Sequence, residues 1–309
     1  MHIGVPRFEL GTSPTRTERA TRLRHTPESS KPSARRDYPG PPVADELAQI
    51  ADWRANVSEL VTDCCERWEL RPGEPYVPGA AGHVLQVERA DGTPAVLKLF
   101  WPHREAEQEA DALERWDGDG AVRLYARDDE RSALLLERCE PGTFLSEGSD
   151  PVGVLIELLP RLWKSGSGFR PLAEEADWWI DHDLGQVADA RLRDAAVQCV
   201  RELAPTQGEQ VLVHQDLHGD NVLAADREPW LAIDPKPLAG EREFSVAPIV
   251  RSSELGHSKR DTLYRLDRLC SELDLDRDRA LGWTIAQTLA WSEGNNTSLD
   301  TVRWLLEDA

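Results

Sequence analysis

Apolar residues recur every three or four positions between residues 43 and 64, and this period predicts one amphipathic helix. Short apolar runs separated by turns containing glycine or proline follow it, and they predict strands. The predicted strands lie at residues 76–77, 84–88, 95–99, 121–126 and 132–137. A helical period interrupts them over residues 105–116, so this part of the chain is predicted to be a small β-rich unit with two helices.

Beyond residue 142 the pattern changes to long amphipathic helices. Helices are predicted at residues 152–163, 184–203, 260–270 and 279–291, and short strands at 211–213, 222–224 and 230–233. The switch from strands to helices predicts an α+β fold of two lobes joined near residues 137–142. We assign residues 43–138 to the small N-lobe and residues 139–309 to the helical C-lobe.

Residues 1–42 differ from both lobes, because they lack periodic apolar positions and are rich in proline, serine, threonine and arginine. Such a composition predicts a disordered tail. It also raises the hypothesis that this stretch lies upstream of the native start. Mass spectrometry that finds Met1 at the native N-terminus would contradict that hypothesis.

The chain carries a formal net charge of −20 and has a pI near 4.8. This charge argues against a nucleic-acid partner, whose phosphates would be repelled, and it suits a cationic small molecule. The simpler interpretation is that the acidity keeps the surface soluble.

The chain has no apolar run of the roughly 20 residues that a membrane-spanning helix needs, and no apolar segment typical of a secretory signal. We therefore expect a cytoplasmic protein that does not contact a membrane. The five cysteines form no C-x-x-C pair, which favours free buried thiols.

The most informative segment is His214-Gln215-Asp216-Leu217-His218-Gly219-Asp220-Asn221, which has the form H-x-D-x-x-x-x-N. Asp234 follows at the end of an apolar strand, and protein-kinase-like enzymes place two carboxylates and an amide at this spacing. Phosphoryl transfer needs a carboxylate to accept the proton of the attacking hydroxyl, a role that suits Asp216. It also needs hard oxygen ligands for Mg²⁺, a role that suits Asn221 and Asp234.

Two other interpretations of this segment remain open. The polar residues could crowd an ordinary surface turn. Alternatively, the alternating His214, Asp216, His218 and Asp220 could bind zinc or iron.

The block HQDLHGDNVL, together with WLAIDPKPLAGEREFSVAPIVR, resembles the aminoglycoside phosphotransferases. The resemblance is to the branch of streptomycin 6-phosphotransferases and hydroxyurea phosphotransferases, and it covers roughly residues 43–309. It implies a two-lobed protein-kinase-like fold and an ATP-dependent phosphotransferase that uses Mg²⁺. By this resemblance Asp216 is the catalytic base, and Asn221 and Asp234 are the magnesium ligands.

The resemblance also assigns residues of the N-lobe. Lys98, on the third predicted strand, is expected to contact the α and β phosphates, and Glu109 on the next helix is expected to orient it. Glu105, one turn earlier, is the alternative partner.

The nucleotide is expected to lie under Gly79 and Gly82, and adenine against the backbone of Glu137 to Cys139. The glycine spacing departs from G-x-G-x-x-G, which leaves the contacts of this loop open. No Walker-type phosphate loop is present.

The acceptor is expected in the helical lobe, although most of the eleven tryptophans favour a core role. The candidate acceptor residues are Asp177, Trp178, Trp179, Asp181, Trp283, Gln287, Trp291 and Glu293. The expected acceptor is streptomycin or a related aminoglycoside. The alternatives are a metabolic kinase for a sugar, an amino alcohol or hydroxyurea, and a kinase-like protein that binds nucleotide without transferring phosphate.

Overall fold

A computed structural model of the chain describes residues 44–76, 82–292 and 294–309. The tail predicted to be disordered, residues 1–42, lies outside the described residues.

The N-lobe begins with helix α1 (Ala44–Arg67) and continues into a five-stranded antiparallel sheet. The strands are β1 (Arg71–Pro75), β2 (Gly82–Glu88), β3 (Pro94–Phe100), β4 (Leu124–Asp128) and β5 (Ala133–Glu137), in the spatial order β1-β2-β3-β5-β4. Helix α2 (Glu109–Trp116) connects β3 to β4.

Strand β3 shows how the sheet separates two faces. Leu97 and Leu99 are fully buried in a core that the sheet shares with α1. Val96, on the opposite face, packs against the larger core of the molecule. Because successive side chains of a strand point to opposite faces, Lys98 lies on the same face as Val96, towards the helical lobe.

The C-lobe is mainly helical. Its helices are α3 (Pro151–Leu162), α4 (Leu172–Trp178), α5 (Ala190–Leu203), α6 (Ala247–Val250), α7 (Lys259–Leu273), α8 (Arg277–Ala290) and α9 (Asn296–Leu306). Helix α8 is the centre of this lobe, since every residue from 280 to 290 is buried and α5, α6 and α9 pack around it. A helix that is buried on all sides cannot show a one-sided apolar stripe.

Two small antiparallel sheets complete the C-lobe. They contain β6 (Pro141–Phe144), β7 (Val211–Val213), β8 (Val222–Ala225), β9 (Trp230–Ala232) and β10 (Leu238–Gly240). Strands β8 and β9 form an antiparallel hairpin over the residues where the sequence predicts two short strands, and β6 joins it from the connection between the lobes. Strand β10 pairs with β7.

The first strand is not where the sequence places it. The sequence predicts a strand at residues 76–77, whereas the structure forms β1 at Arg71–Pro75, and Val77 lies outside the described residues. A strand in the middle of a sheet is disfavoured by the residues Pro72, Gly73 and Pro75. Strand β1, however, is an exposed edge strand, where proline is tolerated.

Helix α2 begins at Glu109 and not at residue 105, because residues 104–108 form turns. Arg104 donates from Nε to the buried carboxylate of Glu175 at 3.0 Å, and Arg170 donates to the Arg104 carbonyl at 2.9 Å. These contacts hold the segment before α2 against the helical lobe. The helical period of the sequence gives no sign of these contacts with the other lobe.

Among the described residues, no helix is long and apolar enough to cross a membrane. All five cysteines are free thiols; four are buried and Cys199 is partly exposed.

Candidate active site

The β3 lysine lies in a cluster of charges. Lys98 Nζ donates to both oxygens of Glu109, at 2.6 and 2.8 Å, and to Asp234 Oδ1 at 2.5 Å. Glu105, the alternative partner, is not among the contacts of Lys98. Burial disfavours the ammonium form, but Asp234 and Glu109 outweigh this and raise the pKa of Lys98 above its ordinary value.

A second ammonium group contacts the same oxygen of Asp234. Lys236 Nζ lies 2.7 Å from Asp234 Oδ1, and the Lys236 side chain is only 7% exposed. Burial alone would raise the pKa of Asp234, yet Lys236 and Lys98 hold it well below its usual range. Asp234 is therefore an anion between two cations.

His214 holds the loop that carries Asp216. Burial lowers the pKa of His214 to about 4, so the ring is neutral near pH 7. Its Nδ1 accepts from the Asp216 amide at 3.3 Å, and its Nε2 lies 2.9 Å from the Ile233 carbonyl. The tautomer with the proton on Nε2 satisfies both contacts, and it ties the Asp216 loop to the strand end before Asp234.

The carboxylate of Asp216 is oriented by two neighbours. Asn221 donates from its amide nitrogen to the Asp216 carbonyl at 2.8 Å and approaches Oδ2 at 3.4 Å. Arg251 Nη2 donates to Oδ1 at 3.0 Å, and the guanidinium lies 4.8 Å above the centre of the Trp291 ring. Asp216 is thus buried and held from two sides.

Two residues of the site have left-handed backbone. Gln215 and Asp234 have φ values of 62° and 55°, in the left-handed region that non-glycine residues seldom adopt. Gln287 on α8 donates to the Gln215 carbonyl at 2.8 Å and holds the residue next to Asp216. Strain at such positions persists only when the surrounding structure enforces it.

The donor set fits a hard divalent cation. The amide nitrogen of Asn221 makes contacts within the loop. Its Oδ1 has no hydrogen-bonding partner in the described part of the chain. Oδ2 of Asp234 likewise accepts no hydrogen bond there, since both lysines use Oδ1. Ile233 donates its amide to the Asn221 carbonyl at 3.0 Å, which brings Asp234, the next residue, close to Asn221. One amide and one carboxylate oxygen suit Mg²⁺.

The segment expected to meet adenine connects β5 to β6. The Glu137 carboxylate accepts from Arg227 Nε at 2.7 Å and from Nη2 at 2.9 Å, which ties this connection to the β8–β9 turn. Cys139 is buried, and burial raises the pKa of its thiol to about 12. Within the described residues neither the amide nor the carbonyl of Cys139 has a hydrogen-bonding partner, so both are available to an adenine edge.

Of the two glycines expected over the phosphates, Gly79 lies outside the described residues. Gly82 begins β2 and pairs with Phe100 at the end of β3, two residues beyond Lys98. It therefore lies at the end of the sheet where Lys98 leaves β3.

The expected acceptor residues separate into core and surface groups. Trp179 and Trp283 are fully buried around Phe244, and the buried Gln287 holds the Gln215 backbone. Glu293 lies outside the described residues. The candidate acceptor residues that keep some exposure are Asp177, Trp178 and Asp181, while Trp291, almost buried, packs against Arg251.

The alternative zinc or iron set is not assembled. Both ring nitrogens of His214 face backbone groups. The residues that do gather are His218, Asp220 and Glu254, and His218 Nδ1 lies 2.8 Å from the Glu254 carboxylate. Glu254 also accepts from the Gly219 amide at 3.1 Å, so it braces the turn after Asp216.

Sequence reasoning missed two residues of the site. Lys236 and Arg251 contact Asp234 and Asp216, yet neither was assigned a role. The signal that could have found Lys236 is its position two residues after Asp234 in a chain with only five lysines. Arg251 lies 35 residues after Asp216, and no spacing rule connects the two.

Three comparisons place the chain among known proteins. A family model described as "Aminoglycoside/hydroxyurea antibiotic resistance kinase" matches residues 67–295. Streptomycin 6-kinase from Streptomyces griseus is 41% identical over 254 residues, which are 77% of this chain and 82% of that protein. Hydroxyurea phosphotransferase from Kitasatospora aureofaciens is 40% identical over 245 residues, which are 74% of this chain and 70% of that protein.

Among solved structures, choline kinase LicA from Streptococcus pneumoniae superimposes with a TM-score of 0.62 at 15% identity. The match covers 82% of this chain and 99% of that chain. At this identity the likeness concerns the fold alone, and it confirms the two-lobed kinase-like architecture predicted from the sequence.

Proposed function

This chain belongs to the family of aminoglycoside/hydroxyurea antibiotic resistance kinases, and on that premise we propose that it transfers the γ-phosphoryl group of ATP to a hydroxyl of streptomycin or a related aminoglycoside. The observation that carries the proposal is the meeting of Lys98, Glu109 and Asp234 beside the loop of Asp216 and Asn221. As a member of this family the chain is a phosphotransferase.

In this proposal each residue has one task. Asp216 orients the acceptor hydroxyl and takes its proton, Lys98 binds the α and β phosphates, and Glu109 holds Lys98 in place. Asn221 and Asp234 hold Mg²⁺, which neutralises phosphate charge when bound. Gly82 and the Glu137–Cys139 backbone contact the nucleotide.

The acceptor assignment rests on charge as well as on similarity. Asp177 and Asp181 are exposed carboxylates on either side of the partly exposed Trp178. Streptomycin carries guanidino groups, which such carboxylates attract. The Trp178 ring itself already stacks on His182 and contacts the Arg104 guanidinium. The net charge of −20 adds long-range attraction for a cation.

Hydroxyurea is the second candidate acceptor, because the hydroxyurea phosphotransferase is as similar to this chain as the streptomycin kinase. An uncharged acceptor of that size would not need Asp177 or Asp181. The two acceptors therefore differ in the residues they require.

A coupled ADP-release assay over a panel of acceptors tests the proposal. Streptomycin, kanamycin, hydroxyurea, choline and fructose would be compared at equal concentration, with mass spectrometry of the product. We expect turnover of streptomycin. Turnover of hydroxyurea alone would replace the first acceptor by the second. Thermal stabilisation by ATP without transfer to any acceptor would indicate a kinase-like binding protein and overturn the proposal.

We expect Arg251→Met to lower kcat by about 10- to 100-fold with little change in the KM for ATP. The substitution removes a charge-assisted hydrogen bond that orients the Asp216 carboxylate, and such bonds contribute about 1.5–3 kcal/mol. Steady-state kinetics at saturating acceptor measure the effect.

Arg201→Met is the matched control for Arg251→Met, because Arg201 is exposed on α5 and makes no side-chain hydrogen bond within the described residues. It should behave as the parent enzyme. Unchanged kcat in the Arg251 variant would contradict an orienting role for this arginine.

A further inference from the structure

Lys236 is a buried cation with a single anionic partner. Its ammonium contacts Asp234 Oδ1 at 2.7 Å and approaches the Asp234 carbonyl at 3.4 Å, and within the described residues it has no other contact. Lys98 differs, because Glu109 binds it through both carboxylate oxygens. If Asp234 changes its partners, Lys236 is left without a counter-ion, whereas Lys98 keeps one.

Binding of a magnesium nucleotide would produce that change. Two ammonium groups already share Oδ1 of Asp234, and a divalent cation on the same carboxylate would be repelled by both. The ammonium without a second carboxylate is the one that must turn to a new anion. A buried charge without a partner is costly, so this anion has to lie within reach of the side chain.

We propose that Lys236 binds the γ-phosphate of the nucleotide and stabilises the charge of the phosphoryl group during transfer. This inference rests on the proposed phosphotransferase function. It adds a second catalytic lysine to that function. Lys98 then binds the α and β phosphates, and Lys236 binds the γ-phosphate.

The position of Lys236 in the chain favours the γ-phosphate over the α and β phosphates. Its backbone amide donates to the His214 carbonyl at 2.9 Å, so Lys236 is attached to the loop that carries Asp216. Lys98 instead belongs to the sheet of the N-lobe. The two lysines approach Asp234 from the two lobes, and the acceptor hydroxyl is activated on the side of Lys236.

Calorimetric binding of AMP-PNP and ADP to Lys236→Met, with magnesium and again in EDTA, tests the proposal. We expect the Kd for AMP-PNP to rise by about 10- to 100-fold, because a charge-assisted contact to the γ-phosphate is lost. The Kd for ADP, which lacks that phosphate, should stay within about twofold of the parent value. Equal weakening of both nucleotides, or of neither, would overturn the proposal.

Lys164→Met is the matched control. Lys164 also pairs with one aspartate, Asp119 at 2.6 Å, but it lies outside the charge cluster of Lys98 and Asp234. Its variant should bind both nucleotides as the parent does.

A measurement on the unaltered protein keeps the test valid should the Lys236 variant fail to fold. With only five lysines, ¹⁵N labelling of the lysine side chains gives a simple ammonium spectrum. With magnesium present, AMP-PNP should move the Lys236 signal to a position that ADP does not produce, while the Lys98 signal shifts with both nucleotides. A Lys236 signal that ignores AMP-PNP contradicts this inference alone; absence of AMP-PNP binding by the unaltered protein contradicts the proposed function itself.

Discussion

Asp216→Asn is expected to lower the rate of phosphoryl transfer by about 10²- to 10⁴-fold, the range that general-base catalysis contributes, and to leave nucleotide affinity nearly unchanged. The substitution keeps the shape of the side chain but removes the oxygen that would accept the hydroxyl proton. It also turns one hydrogen-bond acceptor into a donor, which conflicts with Arg251 or with the Asn221 amide. Single-turnover kinetics with radiolabelled ATP, paired with AMP-PNP binding, measure both quantities.

Asp216→Ala is the companion variant, because it removes the carboxylate without adding a donor. Asp226→Asn is the matched control, since Asp226 is exposed in the β8–β9 turn of the same segment and should tolerate the change. Parent-level transfer by either Asp216 variant would show that another group positions the hydroxyl.

The second large effect is expected for Asp234→Asn, which should reduce transfer by at least about 10³-fold, since metal stabilisation of a phosphoryl group is worth several kcal/mol. The variant removes the one carboxylate that Lys236 contacts and leaves Lys98 with Glu109 alone. Loss of the partner of a largely buried charge also costs about 3–5 kcal/mol of the free energy of unfolding. Manganese binding by electron paramagnetic resonance, and urea unfolding, measure the two consequences.

Asp119→Asn separates these effects from the loss of an ordinary ion pair. Asp119 also accepts from a lysine and an arginine, Lys164 and Arg161, but it lies on a more exposed part of the surface. This variant should retain manganese binding and transfer. If Asp234→Asn bound manganese with the affinity of the parent, the assignment of Asp234 as a metal ligand would be wrong.

Much of the site could be predicted because its residues follow one another along the chain. His214, Asp216 and Asn221 occupy one loop between β7 and β8, and Asp234 ends the next hairpin. In such a unit the spacing of residues along the sequence indicates which side chains lie close together, since hairpin-connected strands bring their ends together. The adenine and glycine assignments remain predictions, and Gly79 lies outside the described residues.

The arginine and lysine that complete the site could not be predicted in this way. Arg251 reaches Asp216 from the end of α6, and its position depends on how α6 and α8 pack. Lys236 is close to Asp234 in sequence, but whether its side chain turns outward or towards the carboxylate depends on the bond between its amide and the His214 carbonyl. The local sequence pattern therefore predicts neither the contact of Arg251 with Asp216 nor that of Lys236 with Asp234.

The sequence by itself determined the long helices, most strands of the N-lobe, the two-lobed fold and the loop of Asp216, because periodicity and turn residues act over a few neighbouring positions. It did not predict the helices α4, α6 and α9 or the strands β6 and β10. It misplaced β1, where the edge of the sheet tolerates proline, and the start of α2, where Arg104 pairs with Glu175 of the other lobe. Only the tertiary structure decided which charges meet. Lys98 and Asp234 are 136 residues apart, and a contact of that separation forms only when packing of the two lobes closes the chain between them.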